Sequence, residues 1–582
     1  MTGRNSAGRL GPRERDEAWA ALDGGRVDVL VIGGGVTGAG VALDAATRGL
    51  SVALVEARDL ASGTSSRSSK LFHGGLRYLE MLDFSLVREA LHERDLMVSK
   101  IAPHLVTPVP FVYPLTHRGW ERPYVGAGLA LYDLLAGRSP MPRHRHLTRT
   151  AALRRCRALS PSALTGALQY FDASTDDARH TMTLARTAAA HGAIVRTSTE
   201  LVDLIRDDGR VVGAIVRDAE TGDTCRVNAT VVVGATGVWS DDIHRMAGVP
   251  SPFRVRASKG VHLIVPREAI DSDTGLILRT EKSVLFVIPW GEHWIVGTTD
   301  TPWDLELDHP AASRSDIDYI LDHVNSVLRS PLSHTDVVGV YAGLRPLLLP
   351  PDSSSAATTK LSREHQVARP VPGLVSVAGG KYTTYRVMAK DTVDSLTEDL
   401  GGELPHCVTE EIPLLGASGL AAATNRAALV AARSGVSEAT VRRMLGRYGD
   451  LVDEVLEPVQ TRADLALPVP SAPQYVMAEL LYAVTHEGAL HLDDLLTRRT
   501  RISVDTAHRG TESAQAVAEL VAPTLGWSAA DITREVATYV RRVEQEIASQ
   551  RAVDDREAQG LRSQAPEART LVGAQRGGSS AR

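Results

Sequence analysis

Between a β-branched apolar run, Val27 to Ile32, and a stretch of small and apolar residues at helical spacing, Val36 to Arg48, lies Gly33-Gly34-Gly35-Val36-Thr37-Gly38. No other feature restricts the fold of this chain as strongly. Gly33 admits a tight turn, Gly35 lets a pyrophosphate approach the backbone, and Gly38 lets the helix pack closely on the sheet. The helix N-terminus then presents oriented N–H donors to the phosphates. Gly49 follows where a C-terminal cap belongs, and a second strand, Ser51 to Glu56, completes a right-handed β-α-β unit. Glu56 ends that strand, where a carboxylate accepts hydrogen bonds from an adenosine ribose. The pattern predicts an α/β fold with a dinucleotide held at Gly33, Gly34, Gly35, Thr37, Gly38 and Glu56. By itself it does not separate a nicotinamide from a flavin dinucleotide.

Residues 1–26 form a polar, Gly-containing leader, and the chain of 582 has room for two to four domains. Further strand runs, Leu201 to Arg206 and Val211 to Arg217, lead to Ala229 to Gly237, an apolar strand ending in glycine. Leu374 to Gly380 repeats that form. Short strand runs between Lys259 and Asp300 predict a separate antiparallel sheet, so the nucleotide domain is read as discontinuous. Past residue 401 the pattern turns helical, over Ala421 to Arg433, Ser437 to Tyr448, Gln474 to Glu487 and Ala529 to Ser549. The expected organisation is a leader over 1–26, a discontinuous Rossmann-like unit over 27–400 whose substrate part is mainly 259–341, a helical domain over 401–549, and a disordered tail over 550–582.

A net charge of -6 offers no positive field for nucleic acid, which is therefore excluded as a partner. Three scattered cysteines, Cys156, Cys225 and Cys407, predict neither a disulfide framework nor a thiolate metal site, and a reducing compartment is expected. The aspartate pairs Asp176-Asp177 and Asp241-Asp242 lack companion ligands, so no metal is expected. Neither an apolar signal segment nor a membrane span is expected from the hydropathy pattern.

Downstream of the glycine turn, Thr64-Ser65-Ser66-Arg67-Ser68-Ser69-Lys70 runs into His73-Gly74-Gly75-Leu76-Arg77-Tyr78-Leu79-Glu80. Here the chain resembles the FAD-dependent glycerol-3-phosphate dehydrogenases. The resemblance continues in collinear order through Lys259-Gly260-Val261-His262, Gly297 to Asp300, Tyr341 to Leu347 and Gly379 to Arg386, and more weakly through Arg447-Tyr448-Gly449, His486-Glu487 and Arg498-Arg499-Thr500. It implies FAD as cofactor, extended along Gly33 to Gly38, Glu56, the segment carrying Thr64, Ser65, Ser69 and Lys70, and His73, Gly74 and Gly75. The later turns at Ala235 and Gly237 and at Gly379, Gly380, Lys381 and Thr383 are implied in the same role. Lys381 is a candidate for the positive field that favours a reduced, anionic flavin, with a substrate contact as the alternative.

The substrate implied is sn-glycerol 3-phosphate, oxidised to dihydroxyacetone phosphate by hydride transfer to flavin N5. A phosphate dianion requires fixed positive charge, which Arg grips bidentately, so Arg77 and Arg345 are the expected anchors, with Lys259 or Lys381 adding charge. The hydroxyl proton requires a base. His262 is the choice and Tyr78 the alternative from the same resemblance. Out of context an arginine such as Arg345 is an ion-pair residue and a histidine in a strand such as Val261 to Val265 belongs to the core; inside these segments the active-site reading prevails. Strand alternation puts His262 and Ile264 on one face and Val261, Leu263 and Val265 on the other. The resemblance also implies a quinone acceptor and peripheral attachment to the cytoplasmic face of the membrane. Three alternatives stay open: an oxidase passing electrons to oxygen, a flavin-dependent amine or amino-acid oxidase, and a catalytically silent flavin-binding protein. A homo-oligomer is left open as well.

Overall fold

The computed structural model describes residues 7–280, 284–349 and 364–571, apart from the side chains of Arg77 and Glu80. Strand Arg26–Ile32 lies at the centre of an eight-stranded sheet, with Val29, Leu30 and Val31 fully buried. An apolar run of this kind is stable only when both faces are covered. It pairs in parallel with Thr224–Gly234 on one side and Val52–Val55 on the other. Leu374–Gly379 and Ile194–Arg196 extend the parallel array, and His365–Val371 closes one edge antiparallel. The runs at 201–206 and 211–217 form a hairpin, Thr199–Asp207 with Arg210–Asp218, whose second strand joins the start of Thr224–Gly234. The glycine-turn helix Val36–Thr47 lies against helices Asp177–Ala190 and Tyr385–Asp394. A Cβ at Gly40 would lie 3.1 Å from Ala389 Cβ, so the approach of the last helix depends on that small residue.

The second sheet has ten strands around Arg254–Pro266, which pairs antiparallel with both His293–Gly297 and Gly339–Leu349. The sheet also reaches beyond the stretch expected to hold the main substrate part, about 259–341. Leu71–Phe72, Val106–Leu115, Arg145–Thr148 and Gly166–Thr175 belong to the same sheet, joined to it through the parallel contact of Val106–Leu115 with Gly275–Arg279. Val106–Leu115 carries Pro108, Pro110 and Pro114, which disguise a strand. All three fall at even positions, so their missing N–H groups share one edge of the strand, which stays in register with Gly166–Thr175 throughout.

The helices after residue 401 enclose an apolar core of their own, including Val441, Met444, Leu480, Val517 and Val521. Ala529–Ser549 begins at Ser528, whose hydroxyl and Asp531 form a capping box. The helix expected from Gln474 starts only at Met477, because Ala472–Val476 is a strand paired with Pro468–Val469.

The polar leader carries a helix, and the tail departs from expectation. Within the polar leader, Pro12–Leu22 is a helix that buries Ala18 and Leu22 and sets Trp19 under the Arg196 guanidinium, 4.4 Å away. Within the tail expected to be disordered, Asp555–Arg562 is a helix and Arg569 is buried against Asp494. Composition hides both, since the partners that order these segments lie far away in sequence, 75 residues for Arg569 with Asp494 and 296 for Asp555 with Lys259. The parts of these two expectations covering 1–6 and 572–582 lie outside the described residues.

Candidate active site

Four parallel strands end at one place, and each is followed by a residue singled out from sequence. Gly33 follows Arg26–Ile32, Glu56 follows Val52–Val55, Ala235 follows Thr224–Gly234, and Gly380 follows Leu374–Gly379. Ligands of open parallel sheets bind beyond such carboxyl ends. Here the ends enclose a cavity of about 1110 Å³ whose walls include Gly33, Gly35, Thr37, Glu56, Gly237 and Lys381. Thr64, Ser65, Ala235, Gly379 and Gly380 line it as well, while Gly34 and Gly38 stand behind the wall.

The local geometry suits a dinucleotide. Gly33 has φ +113°, and a Cβ there would lie 2.6 Å from Ala235 O. A Cβ at Gly38 would lie 1.9 Å from Gly33 O, so the helix reaches the strand only because Gly38 lacks a side chain. Gly35 is the N-cap of Val36–Thr47 and has no side chain to satisfy its first-turn amides; Val36 N donates to Ser65 Oγ at 2.9 Å. Glu56 is oriented by Gly34 N at 2.7 Å and Arg58 N at 2.9 Å, leaving its carboxylate at the cavity wall. Cradle, helix N-terminus and terminal acid therefore occur together, and FAD fits this donor and acceptor set.

The segment after Thr64 divides between the cavity and the protein interior. Thr64 Oγ1 donates to Leu344 O at 2.6 Å, tying this loop to the second sheet. Lys70, expected at the cofactor, turns away from the cavity: its buried Nζ donates to Asp177 Oδ1 at 2.6 Å and to Ser66 O at 3.0 Å. Burial and Arg501 push the ammonium pKa down, and Asp177 opposes them. Ser69, His73, Gly74, Gly75 and Thr383 also stand outside the cavity lining. Gly74 N donates to Tyr132 OH at 2.9 Å, and Thr383 Oγ1 lies 3.3 Å from His73 N, so these residues brace the segment from behind.

Ser69 instead meets His262. Its hydroxyl is 2.9 Å from His262 Nε2. His262 opposes Tyr341 across the strands Arg254–Pro266 and Gly339–Leu349, and the two rings stack at 4.8 Å and 16°. On the other side it opposes Gly297, where a Cβ would lie 2.6 Å from the ring. Four residues along the same strand, Ser258 opposes Arg345. The Arg345 guanidinium crosses Gly260, where a Cβ would lie 2.3 Å from Nη2, and donates to Thr298 Oγ1 at 3.0 Å and Thr299 O at 3.2 Å. Burial, then the charges of Arg345 and Lys70, hold His262 well below the usual histidine range, so the imidazole is neutral at neutral pH. The Tyr341 phenol, which donates to Ser68 O at 3.0 Å, is pushed well above its usual range by burial and stays protonated.

Tyr78 and Lys381 form a second group. Lys381 Nζ lies 3.6 Å from the centroid of the Tyr78 ring, a contact that holds the ammonium beside the paired glycines at the cavity wall. The backbone of Arg77 opens the short helix Arg77–Glu80, but its side chain lies outside what is described.

Lys259 is a correction. Its side chain is fully buried, with Nζ at 2.5 Å from both Asp316 Oδ2 and Asp555 Oδ1 and 3.3 Å from Ala311 O. Odd positions of this strand, Val261, Leu263 and Val265, face the core. Lys259 shares that parity, a signal already available in the alternation that assigned His262. Sequence reasoning also missed Asp177 and Arg501. Arg501 bonds Asp176 Oδ1 and Asp177 Oδ1 at 2.5 and 2.6 Å, so the helical domain clamps the carboxylate that fixes Lys70. Adjacent aspartates had been weighed only as metal ligands. Among the described residues no group of three or more His, Cys, Asp or Glu side chains could hold a metal ion, and no helix is long and apolar enough to cross a membrane.

Comparison with known proteins places these features in context. Residues 28–392 match the family model described as FAD dependent oxidoreductase, and residues 407–532 match the C-terminal domain of alpha-glycerophosphate oxidase. A glycerol-3-phosphate dehydrogenase 2 of Mycobacterium tuberculosis is 57% identical over 97% of this chain and 96% of its own length. The mitochondrial glycerol-3-phosphate dehydrogenase of Mesocricetus auratus is 36% identical over 90% of this chain and 74% of that protein. The crystal structure of glycerol-3-phosphate dehydrogenase from Bacillus halodurans complexed with FAD superposes with a TM-score of 0.74, at 30% identity, covering 94% of this chain and 99% of that one.

Proposed function

The chain belongs to the FAD-dependent glycerol-3-phosphate dehydrogenases, and from that premise we propose that it oxidises sn-glycerol 3-phosphate at C2 to dihydroxyacetone phosphate. The observation that carries this reading is the pairing of a neutral, buried imidazole with an arginine on adjacent strands. Arg345 is near enough that its charge helps depress the basicity of His262. In this reading the Arg345 fork grips the phosphate dianion, and its hydrogen bonds to Thr298 and Thr299 hold that fork in position.

Oxidation removes a hydride from C2 and a proton from its hydroxyl, leaving a C=O double bond. Bound FAD supplies the two-electron acceptor, at flavin N5. His262 takes the proton at Nε2, the nitrogen that Ser69 Oγ orients, because its neutral imidazole carries a lone pair that can accept at pH 7. Stacking on Tyr341 fixes the ring plane. Lys381, held against Tyr78, supplies positive charge beside the cofactor cavity and favours the reduced, anionic state. Gly33, Gly35, Thr37 and Glu56 hold the dinucleotide. Electrons then pass to a quinone, with the protein attached peripherally to the cytoplasmic face of the membrane.

Anaerobic addition of glycerol 3-phosphate should bleach the oxidised-flavin band, and a quinone analogue should restore it faster than air-saturated buffer does. Retention of the band at saturating substrate would refute the substrate assignment. Faster reoxidation by oxygen would replace the quinone with the oxidase reading.

A further inference from the structure

One wall of the cofactor cavity comes from a part of the chain that neither sheet supplies. Ser563, Ala565, Glu567 and Leu571 line the same cavity as Glu56 and Gly33. We infer that segment Ser563–Leu571 is part of the cofactor site, closing the adenosine side of the cleft as a strap; this rests on the FAD reading above.

The strap is fastened on both sides of the opening. On the substrate sheet, Asp555 at the start of the helix leading into it takes Lys259 Nζ at 2.5 Å and Ser313 Oγ at 2.9 Å. On the far side, buried Arg569 donates to Asp494 Oδ2 at 2.7 Å and to Ser198 Oγ at 2.6 Å, and Thr570 O accepts from Arg217 at 2.8 Å. Between these anchors Glu567 pairs with His309, which also lines the cavity. The buried pair among these, Arg569 with Asp494, is of a kind that adds little net stability but holds one arrangement against others.

The chemistry of the wall selects which half of the dinucleotide it faces. It offers a carboxylate, a hydroxyl and the apolar Ala565 and Leu571, with no cation among the four. A carboxylate repels a pyrophosphate, whereas an acceptor beside apolar surface suits an adenosine with its hydroxyls, amine and ring face. Neighbouring wall residues agree, since Thr199 N donates to Glu56 O at 2.8 Å and so fastens the strap's anchor loop to the strand that ends in the ribose-binding acid. With this wall in place the strap slows release of a dinucleotide seated in the cleft.

The test uses holoenzyme in three forms: the native chain, a chain ending at Gln550, and a full-length chain carrying Glu567→Ala and Leu571→Asp, which keeps both anchors. FAD release after dilution is followed by the rise of free-flavin fluorescence, with helical content checked by circular dichroism. Release should accelerate by at least about tenfold in the shortened chain and at least roughly threefold in the double variant, while KM for glycerol 3-phosphate at saturating FAD stays within about twofold. If the shortened chain does not fold, the double variant decides. Release within roughly twofold of native overturns the inference, and a KM raised about tenfold overturns its assignment to the adenosine side. A native chain that never retains FAD refutes the cofactor reading itself and the strap with it, so the two failures are distinguishable.

Discussion

Replacing Lys259 with methionine separates a structural cation from a substrate anchor. Methionine keeps the length of the stem but removes the charge from between two carboxylates, each at 2.5 Å. Removing one partner of a buried ion pair costs about 3–5 kcal/mol. Two features place Lys259→Met at the low end, about 3 kcal/mol. The Asp555 side chain is 26% exposed and regains water, and Asp316 keeps Ser313 N and Oγ as donors at 2.9 Å. In a protein of 582 residues that loss lowers the thermal transition by about 2–3 °C. Were Lys259 instead a phosphate ligand, its charge-assisted hydrogen bond would be worth about 1.5–3 kcal/mol, and KM would rise roughly 10–100-fold. Thermal melting and steady-state kinetics on the same preparation distinguish the two. The expected result is a lowered transition with KM for glycerol 3-phosphate within about twofold of native. An unshifted transition with KM raised about tenfold would refute the buried-pair reasoning.

Other perturbations probe the remaining groups. His262→Ala should slow anaerobic flavin reduction by about 10²–10⁴-fold with FAD content intact, as loss of a general base does; a loss below about tenfold would return that role to Tyr78. Arg345→Met should raise KM for glycerol 3-phosphate roughly 10–100-fold, and unchanged KM would remove the phosphate anchor. Gly38→Ala should yield protein without bound flavin, because its Cβ would lie 1.9 Å from Gly33 O; a yellow, native-like variant would contradict that contact. Burial, then Arg179, lowers His104 to about 4, and burial, then His104, lowers His180 to about 3. Both take protons in the unfolded chain first, so their stability is complete above pH ~6.5 and is lost below it, by about 1 kcal/mol per group per pH unit. His491 acts oppositely: against burial and Arg569, Glu220 and Glu535 raise it to about 9, so its contribution is whole below pH ~6.5 and fades as pH rises through about 9. Thermal melts from pH ~6.5 down to about 5 should therefore fall, and a flat profile over that range would contradict the buried neutral imidazoles.

How far the site was legible depended on the range of the interaction. The glycine turn and its terminal acid were readable because the constraint closes within about 30 residues: a strand, a turn that tolerates no Cβ, and a helix N-terminus. The face of His262 was readable from alternation alone, and the same parity already assigned Lys259 to the core side, although its charge suggested a ligand. Lys70 was misread for a related reason. Its neighbours in sequence belong to the cavity, but its φ of +56° and its pairing with Asp177 turn it inward.

What local chemistry cannot specify is which distant charges meet. Trp19 finds Arg196, Lys259 finds Asp555 and Arg569 finds Asp494 only after the sheets and helices have docked. The polar tail therefore reads as loose when taken alone, yet over residues 555–571 it is held by such partners in the folded molecule. Turns and periodicities are set by a residue and its near neighbours, so the linear order suffices for them. Burial of a charge is favourable only when its partner is buried with it, and that is decided by the docking of elements far apart in the chain.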